Sequence, residues 1–273
     1  MLHEILEVPV DYARAGLPGR GHATLATYIR SPSPEMPHAP RPALVICPGG
    51  GYSFTSAREA EPIALRFLDK GFACFVLWYT VDGSVRFPGA LLELASSVAL
   101  VRRRAAEWNV DPGKIAVCGF SAGGHLAGSL GVLWDRAFLR EALDMEPAAF
   151  RPNGMILGYP VVTSGPFAHQ DSFRALLGDR YGEKDAMELV SLEKQVSAET
   201  APAFLWHTGD DPGVPCENSL LLADALRRHG VPFELHILPS GPHGLSLAEE
   251  ETGMIEASCQ PWPDWAALWL RAL

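Results

Sequence analysis

The sequence predicts an α/β protein: a mostly parallel sheet with an antiparallel N-terminal hairpin and helices on both faces. Three observations carry this. Short apolar runs alternate with longer amphipathic segments along the 273 residues, the pattern of repeated β-α units. The runs are apolar at consecutive positions, as in Ala43-Leu44-Val45-Ile46-Cys47, which is what strands covered on both faces require. Only the first pair of runs differs: Ile5 to Val10 and Thr24 to Ile29 flank a Gly-rich turn, the signature of a hairpin at one edge.

The elements follow in order. After the hairpin, residues 31–42 carry five of the 23 prolines and read as a surface connection. Ala43 to Cys47 is the first long strand and runs into Pro48-Gly49-Gly50-Gly51-Tyr52. Pro62 to Lys70 has Ile63, Phe67 and Leu68 spaced for one helix face, and Gly71 stops it. Phe72 to Tyr79 is a strand, Leu91 to Trp108 one long helix, Lys114 to Cys118 a strand, and Ala122 to Trp134 a helix. Strands are expected at Gly154 to Tyr159, Ala203 to Trp206 and Pro232 to Leu238, with helices at Asn218 to His229 and Trp265 to Leu273. About 40 residues, 163–202, separate two strands. That is long for such a connection; the segment is a candidate lid or substrate wall, weighed evenly against a solvated packing element.

Composition narrows the function classes. With 22 Lys and Arg against 32 Asp and Glu the formal charge is −10, which repels phosphate backbones and argues against a nucleic-acid partner. The apolar stretches are too short to cross a bilayer, so no membrane partner is expected. Five cysteines occur, with no Cys-x-x-Cys pair, and Cys47, Cys74 and Cys118 lie in apolar runs. They read as buried free thiols in a reducing compartment. Met1-Leu2-His3-Glu4-Ile5 lacks the basic-then-apolar form of a leader; the expectation is cytoplasmic. No metal-ligand spacing is present, so no metal or other cofactor is expected. Nothing in the sequence indicates an oligomeric state.

The chemistry concentrates at Gly119-Phe120-Ser121-Ala122-Gly123. This G-x-S-x-G follows an apolar run and opens a helix, the strand-turn-helix context of a nucleophile elbow. The turn needs small neighbours, and Gly119, Ala122, Gly123 and Gly124 supply them. A phosphate loop is excluded because no Lys-Ser/Thr pair follows. Ser121 is therefore the candidate nucleophile, and the N–H of Ala122 a candidate oxyanion donor. Gly49-Gly50-Gly51 after the first long strand can turn further N–H groups toward a ligand. A dinucleotide loop fails there, since Phe54 stands where its third glycine belongs. Gly50 and Gly51 are thus the other oxyanion candidates. Tyr52 is placed beside the acyl pocket, with plain packing an equal reading.

Serine needs a base. Of the histidines after Ser121, His243 lies in the turn Ser240-Gly241-Pro242-His243-Gly244 beyond the last strand, where a loop can carry an imidazole over the sheet edge. His236 reads as a face residue and His229 as a helix end. Asp210 and Asp211, after the strand ending at His207, both remain candidates for the acid. Glu59 and Glu61 read as charges suited to a helix start, and Trp134, Trp262 and Trp265 as core residues rather than sugar platforms.

With these residues in hand the chain resembles the α/β-hydrolase superfamily, in particular esterases related to acetylxylan esterases and a feruloyl-esterase-like branch. The blocks are Cys47 to Tyr52, Arg58 to Pro62, Cys118 to His125, Leu205 to Thr208, Asp211-Pro212-Gly213-Val214-Pro215 and His243-Gly244. The resemblance implies a single α/β-hydrolase domain over 1–273. It implies that the acid is the aspartate of an Asp-x-x-Val-Pro turn, which lands on Asp211. Gly213 departs from the pattern, where a bulkier apolar residue is usual. The resemblance further implies a serine esterase that removes short acyl groups, acetyl above all, from acetylated carbohydrates such as xylo-oligosaccharides. A short-chain carboxylesterase or lactone hydrolase is the alternative within enzymes; a non-catalytic binding protein of the same fold is the alternative outside them.

Overall fold

The computed structural model describes residues 1–35 and 39–273; positions 36–38 of the proline-rich connection lie outside the described residues. The strands are β1 (Ile5–Glu7), β2 (Thr24–Tyr28), β3 (Arg41–Cys47), β4 (Ala73–Trp78), β5 (Val110–Phe120), β6 (Gly154–Gly158), β7 (Ala203–Thr208) and β8 (Phe233–Leu238). They form one eight-stranded sheet in the order β1-β2-β4-β3-β5-β6-β7-β8. β1 pairs antiparallel with β2, and β2 antiparallel with β4. Every pairing from β4 across to β8 is parallel.

The helices are α1 (Glu61–Asp69), α2 (Gly89–Arg103), α3 (Ala105–Trp108), α4 (Ala122–Leu133), α5 (Ala137–Leu143), α6 (Gln170–Leu177), α7 (Lys184–Leu189), α8 (Glu217–Arg228) and α9 (Trp262–Ala272). Side chains of successive strand residues point to opposite faces. Val45 and Cys47 pack with Leu94 and Val98 of α2, Leu126 of α4 and Leu222 of α8. Leu44 and Ile46 pack with Ile63 and Phe67 of α1 and Trp262 of α9. Both faces of the sheet are thus dry, which explains the consecutive apolar runs.

Two departures from the sequence reading are informative. The helix expected over 91–108 divides at Arg104 into α2 and α3, although Arg104 N–H still bonds Leu100 O and Trp108 N–H bonds Arg104 O. Periodicity continues across such a break, so it leaves no trace in the pattern. α5 was not expected; at seven residues it is too short to establish a period. Gly71 does end α1, with φ +88, a conformation glycine adopts without a Cβ clash. The long connection at 163–202 contains α6 and α7.

Candidate active site

Ser121 lies between the carboxyl end of β5 and the start of α4, with φ 55 and ψ −120. A non-glycine residue pays strain for this backbone, and the surroundings must hold it. They do: Ser121 N–H donates to Gly158 O, and Ser121 O accepts from His125 and Val161. The glycines around it are required by contact. A Cβ on Gly119 would lie 2.0 Å from Gly123 O, and one on Gly123 2.1 Å from Cys47 O. The turn therefore closes only with small residues, as the motif implied.

His243 reaches Ser121 from the loop after β8. Its Nε2 is 2.7 Å from Ser121 Oγ, and its Nδ1 is 2.7 Å from Asp211 Oδ2. The other Asp211 oxygen accepts the N–H groups of Gly213 at 2.8 Å and Val214 at 2.9 Å. Burial alone would raise the Asp211 pKa. The imidazoles of His207 and His243 and the Val214 amide reverse this and hold it well below the usual carboxylate range. His207 is itself buried; its Nε2–H donates to Val214 O at 2.9 Å and lies 3.4 Å from Asp211 Oδ2.

Asp210 does something else. Exposed, it accepts the Gly241 N–H at 2.8 Å, and Thr208 Oγ1 donates to Gly241 O at 2.8 Å. The two residues tether the loop that carries His243. Gly213 packs directly on that histidine: a Cβ there would lie 2.9 Å from His243 Cβ. The absence of a bulkier residue at this position is thus matched by an imidazole seated against it.

The loop after β3 faces Ser121. Gly50 has φ 131, Gly51 φ 64 and Tyr52 φ 59, conformations that favour glycine at the first two positions. Gly49 N–H is taken by Glu59 Oε2. Among the described residues, the N–H groups of Gly50, Gly51 and Ala122 donate to no protein acceptor. Tyr52, expected beside an acyl pocket, is buried, and its hydroxyl donates to His125 Nδ1 at 2.7 Å. His125 Nε2–H donates in turn to Val190 O in the 163–202 segment. Burial pushes the His125 pKa down to about 4, so this bridge is neutral.

The same segment approaches the glycine loop again. Ser172 Oγ of α6 is 3.8 Å from where a Gly51 Cβ would stand, and His169 Nδ1 shares a hydrogen bond with Ser172 Oγ. Burial, and then the neighbouring His243, hold His169 below its ordinary pKa. His236 stacks on Trp265 at the far side of the sheet and bonds Glu234; His229 ends α8. Trp262 is fully buried and stacked on Trp206, and Trp134 bonds Glu199 O, so these rings belong to the core. Among the described residues no group of three or more His, Cys, Asp or Glu is placed to hold a metal ion, and no helix is long and apolar enough to cross a membrane.

The BD-FAE family profile matches residues 32–226. The chain belongs to the BD-FAE family. The matched span holds Ser121, Asp211 and the 49–51 loop and ends before His243. Similar proteins include an endo-1,4-β-xylanase B of Butyrivibrio fibrisolvens, 39% identical over 77% of this chain and 33% of that protein. An acetylxylan esterase of Xylanibacter ruminicola is 33% identical over 75% of this chain and 41% of that protein. The chain therefore spans between a third and about two fifths of the length of these two relatives. Among solved structures, an acetyl ester-xyloside bifunctional hydrolase from Caldicellulosiruptor lactoaceticus superimposes with TM-score 0.82 at 35% identity, covering 98% of this chain and 96% of its own. A carboxylesterase from Lactobacillus plantarum superimposes with TM-score 0.85 at 27% identity, covering 100% and 98%.

Glu59 is the residue the sequence reading misplaced. It was expected to serve a helix start, but α1 begins at Glu61. Glu59 lies two residues earlier, at the end of a 3-10 turn over Ala57–Glu59, and is 3% exposed, with its carboxylate turned to Gly49 N–H and to the Tyr159 hydroxyl. Its appearance in the Arg58 to Pro62 block was the available signal. Nothing local distinguishes a charge that faces inward from one that faces a helix dipole.

Proposed function

We propose that the protein is a serine esterase that removes short acyl groups, acetyl above all, and that its substrates are acetylated carbohydrates such as xylo-oligosaccharides. The observation that carries this is the line Ser121–His243–Asp211, 2.7 Å at each step, beside three N–H groups without an acceptor among the described residues. In this reading Ser121 Oγ attacks the ester carbonyl as its proton passes to His243 Nε2. The carbonyl oxygen, now negative, is received by the N–H groups of Ala122 and of Gly50 or Gly51. Collapse expels the alcohol, which takes the proton from His243. Water, deprotonated by the same imidazole, then attacks the acyl-enzyme, and the carboxylic acid leaves as Ser121 recovers its proton. Asp211 keeps the proton of the neutral ring on Nδ1 and stabilises the imidazolium.

The carbohydrate preference is supported by the names of the xylan-active relatives and the acetyl ester-xyloside hydrolase. The carboxylesterase neighbour supports a second reading, a short-chain esterase without sugar preference. The 163–202 segment, which comes close to Gly51 through Ser172 and to His243 through His169, serves in this proposal as a substrate wall, and 1–273 acts as one domain.

Three experiments test these readings. Fluorophosphonate should label the protein and should fail on Ser121→Ala, whose kcat should fall by on the order of 10⁶; a labelled, active Ser121→Ala would end the serine mechanism. Aryl acetate should be cleaved more than tenfold better than aryl hexanoate, since each unaccommodated methylene costs about 1–3 kcal/mol. Acetylated xylo-oligosaccharides should exceed simple alkyl acetates in kcat/KM. Equal values would favour the second reading.

A further inference from the structure

Glu59 is a buried carboxylate that the two-step mechanism does not use. Taking a carboxylate out of water is costly, and here burial, its largest influence, works to raise the Glu59 pKa. By linkage, a raised carboxyl pKa means stability present below the ordinary value of about 4.3 and lost as the pH rises through the folded-state value. Keeping Glu59 ionised at neutral pH thus works against the fold. Such a cost points to function.

The contacts indicate which function. Glu59 Oε2 accepts Gly49 N–H at 2.7 Å, and Oε1 accepts the Tyr159 hydroxyl at 2.7 Å. The Tyr159 oxygen accepts Ser246 N–H at 2.8 Å, and Ser246 Oγ donates to Arg58 O. The Tyr159 ring meets the His243 imidazole edge-on, with centroids 5.1 Å apart. One carboxylate therefore gathers the loops that follow β3, β6 and β8, which carry the glycine donors, Tyr159 and His243. Tyr52, Tyr159, Ser246 and Ser121 all have positive φ. These loops are held in strained backbone, and Glu59 and Tyr159 supply bonds that hold them.

We propose that Glu59, as a carboxylate, is a positioning residue of the ester hydrolysis: it holds the 49–51 loop and Tyr159 in place, and its charge stabilises the imidazolium that forms at His243. This rests on the roles given above to Ser121, His243 and the glycine loop. Other charged and titratable groups facing His243 are Asp211 and His207 from the end of β7, His169 ahead of α6, and Arg58 beside Gly244. Arg58 opposes the effect of Glu59. Asp211 acts through a direct bond at Nδ1, whereas Glu59 acts through Tyr159 and through space.

The test compares Glu59→Gln, Glu59→Asp and Tyr159→Phe with wild type on aryl acetate. Glutamine carries no charge; its oxygen can still accept Gly49 N–H, while its amide must donate to the Tyr159 oxygen, reversing that bond and leaving the Tyr159 O–H without this acceptor. Glu59→Gln should lower kcat about 10- to 100-fold with KM within twofold. The acid limb of its kcat/KM profile should move to lower pH by about half a unit, and its Tm should change little, relief of the buried charge offsetting the orphaned Tyr159 O–H. Tyr159→Phe keeps the charge and should lower kcat without moving the acid limb. Glu59→Asp, too short to span both partners, should lower kcat but leave the acid limb near its wild-type position. A Glu59→Gln enzyme with kcat within twofold of wild type, or one whose Tm and kcat fall together while its acid limb stays put, overturns the proposal. Should Glu59→Gln not fold, the ionised side chain is needed for structure and the proposal is likewise overturned. Ser121→Ala run alongside separates the failures. If it stays active, the serine site itself is misassigned; if it is inert while Glu59→Gln is unaffected, only the role of Glu59 falls.

Discussion

Replacing Asp211 by asparagine poses a sharp question, because the structure decides which way the amide must face. Asp211 Oδ1 accepts two backbone N–H groups, from Gly213 and Val214, whereas Oδ2 accepts the His243 Nδ1–H. Asparagine has one oxygen for these positions. With its NH₂ at the Oδ1 site, the buried Val214 N–H loses its acceptor, at about 1–3 kcal/mol, and the part-buried Gly213 N–H loses its own. With its NH₂ at the Oδ2 site, the His207 Nε2–H 3.4 Å away keeps Val214 O as its acceptor, and the His243 imidazole, confronted directly, can answer by moving its proton from Nδ1 to Nε2. The second arrangement is cheaper. It leaves Nε2–H pointing at Ser121 Oγ, so the ring can no longer take the serine proton. The expected loss in kcat is about 10⁴, or about 5.5 kcal/mol in the barrier, with the fold kept. Asp210→Asn, by contrast, retains an oxygen for Gly241 N–H and should lose less than tenfold. Steady-state rates on an aryl acetate at saturating substrate measure both. An Asp211→Asn enzyme within tenfold of wild type, or a larger loss in Asp210→Asn, would refute the assignment.

Other outcomes follow from the same contacts. Gly213→Ala places a methyl 2.9 Å from His243 Cβ; the imidazole must shift, and displacement on the scale of an ångström costs up to about 10² in kcat, so a ten- to hundredfold loss with near-normal Tm is expected, and an unchanged rate would mean the loop gives way freely. For stability, the His125 pKa is depressed from its ordinary value to about 4. A depressed pKa means stabilisation fully present above about 6.5 and lost as the pH falls toward about 4; Tm should decline across that window, and His125→Gln should flatten the decline. For activity, kcat/KM should fall as the pH is lowered through the range in which histidines gain charge, about 8 to 5; a profile flat over that range would exclude a histidine base.

The sequence by itself determined the order and type of nearly every sheet element, since runs such as Ala43 to Cys47 are apolar at consecutive positions only if both faces are to be covered. It pointed to Ser121 as nucleophile as well, because an elbow between strand and helix demands small residues within a few positions; the contact of Gly119 with Gly123 is local in that sense, whereas Gly123 itself closes on Cys47 O of β3. The acid is less local. Asp210 and Asp211 are adjacent and chemically alike, and only the fold brings one against His243 and turns the other to Gly241. The parting of their roles depends on a loop more than 30 residues away, beyond β8, whose position no periodicity encodes. Glu59 lies further still from anything readable. A carboxylate two residues before a helix has the same local pattern whether it faces solvent, a dipole or the interior. Its partners Gly49, Tyr159 and, through Tyr159, Ser246 come from the ends of three strands that are separate in sequence and meet at one sheet edge. Periodicity reports which face of an element is dry; where the ends of different elements converge is settled by sheet order and by the bonds that close the loops, and those exist only in the folded chain.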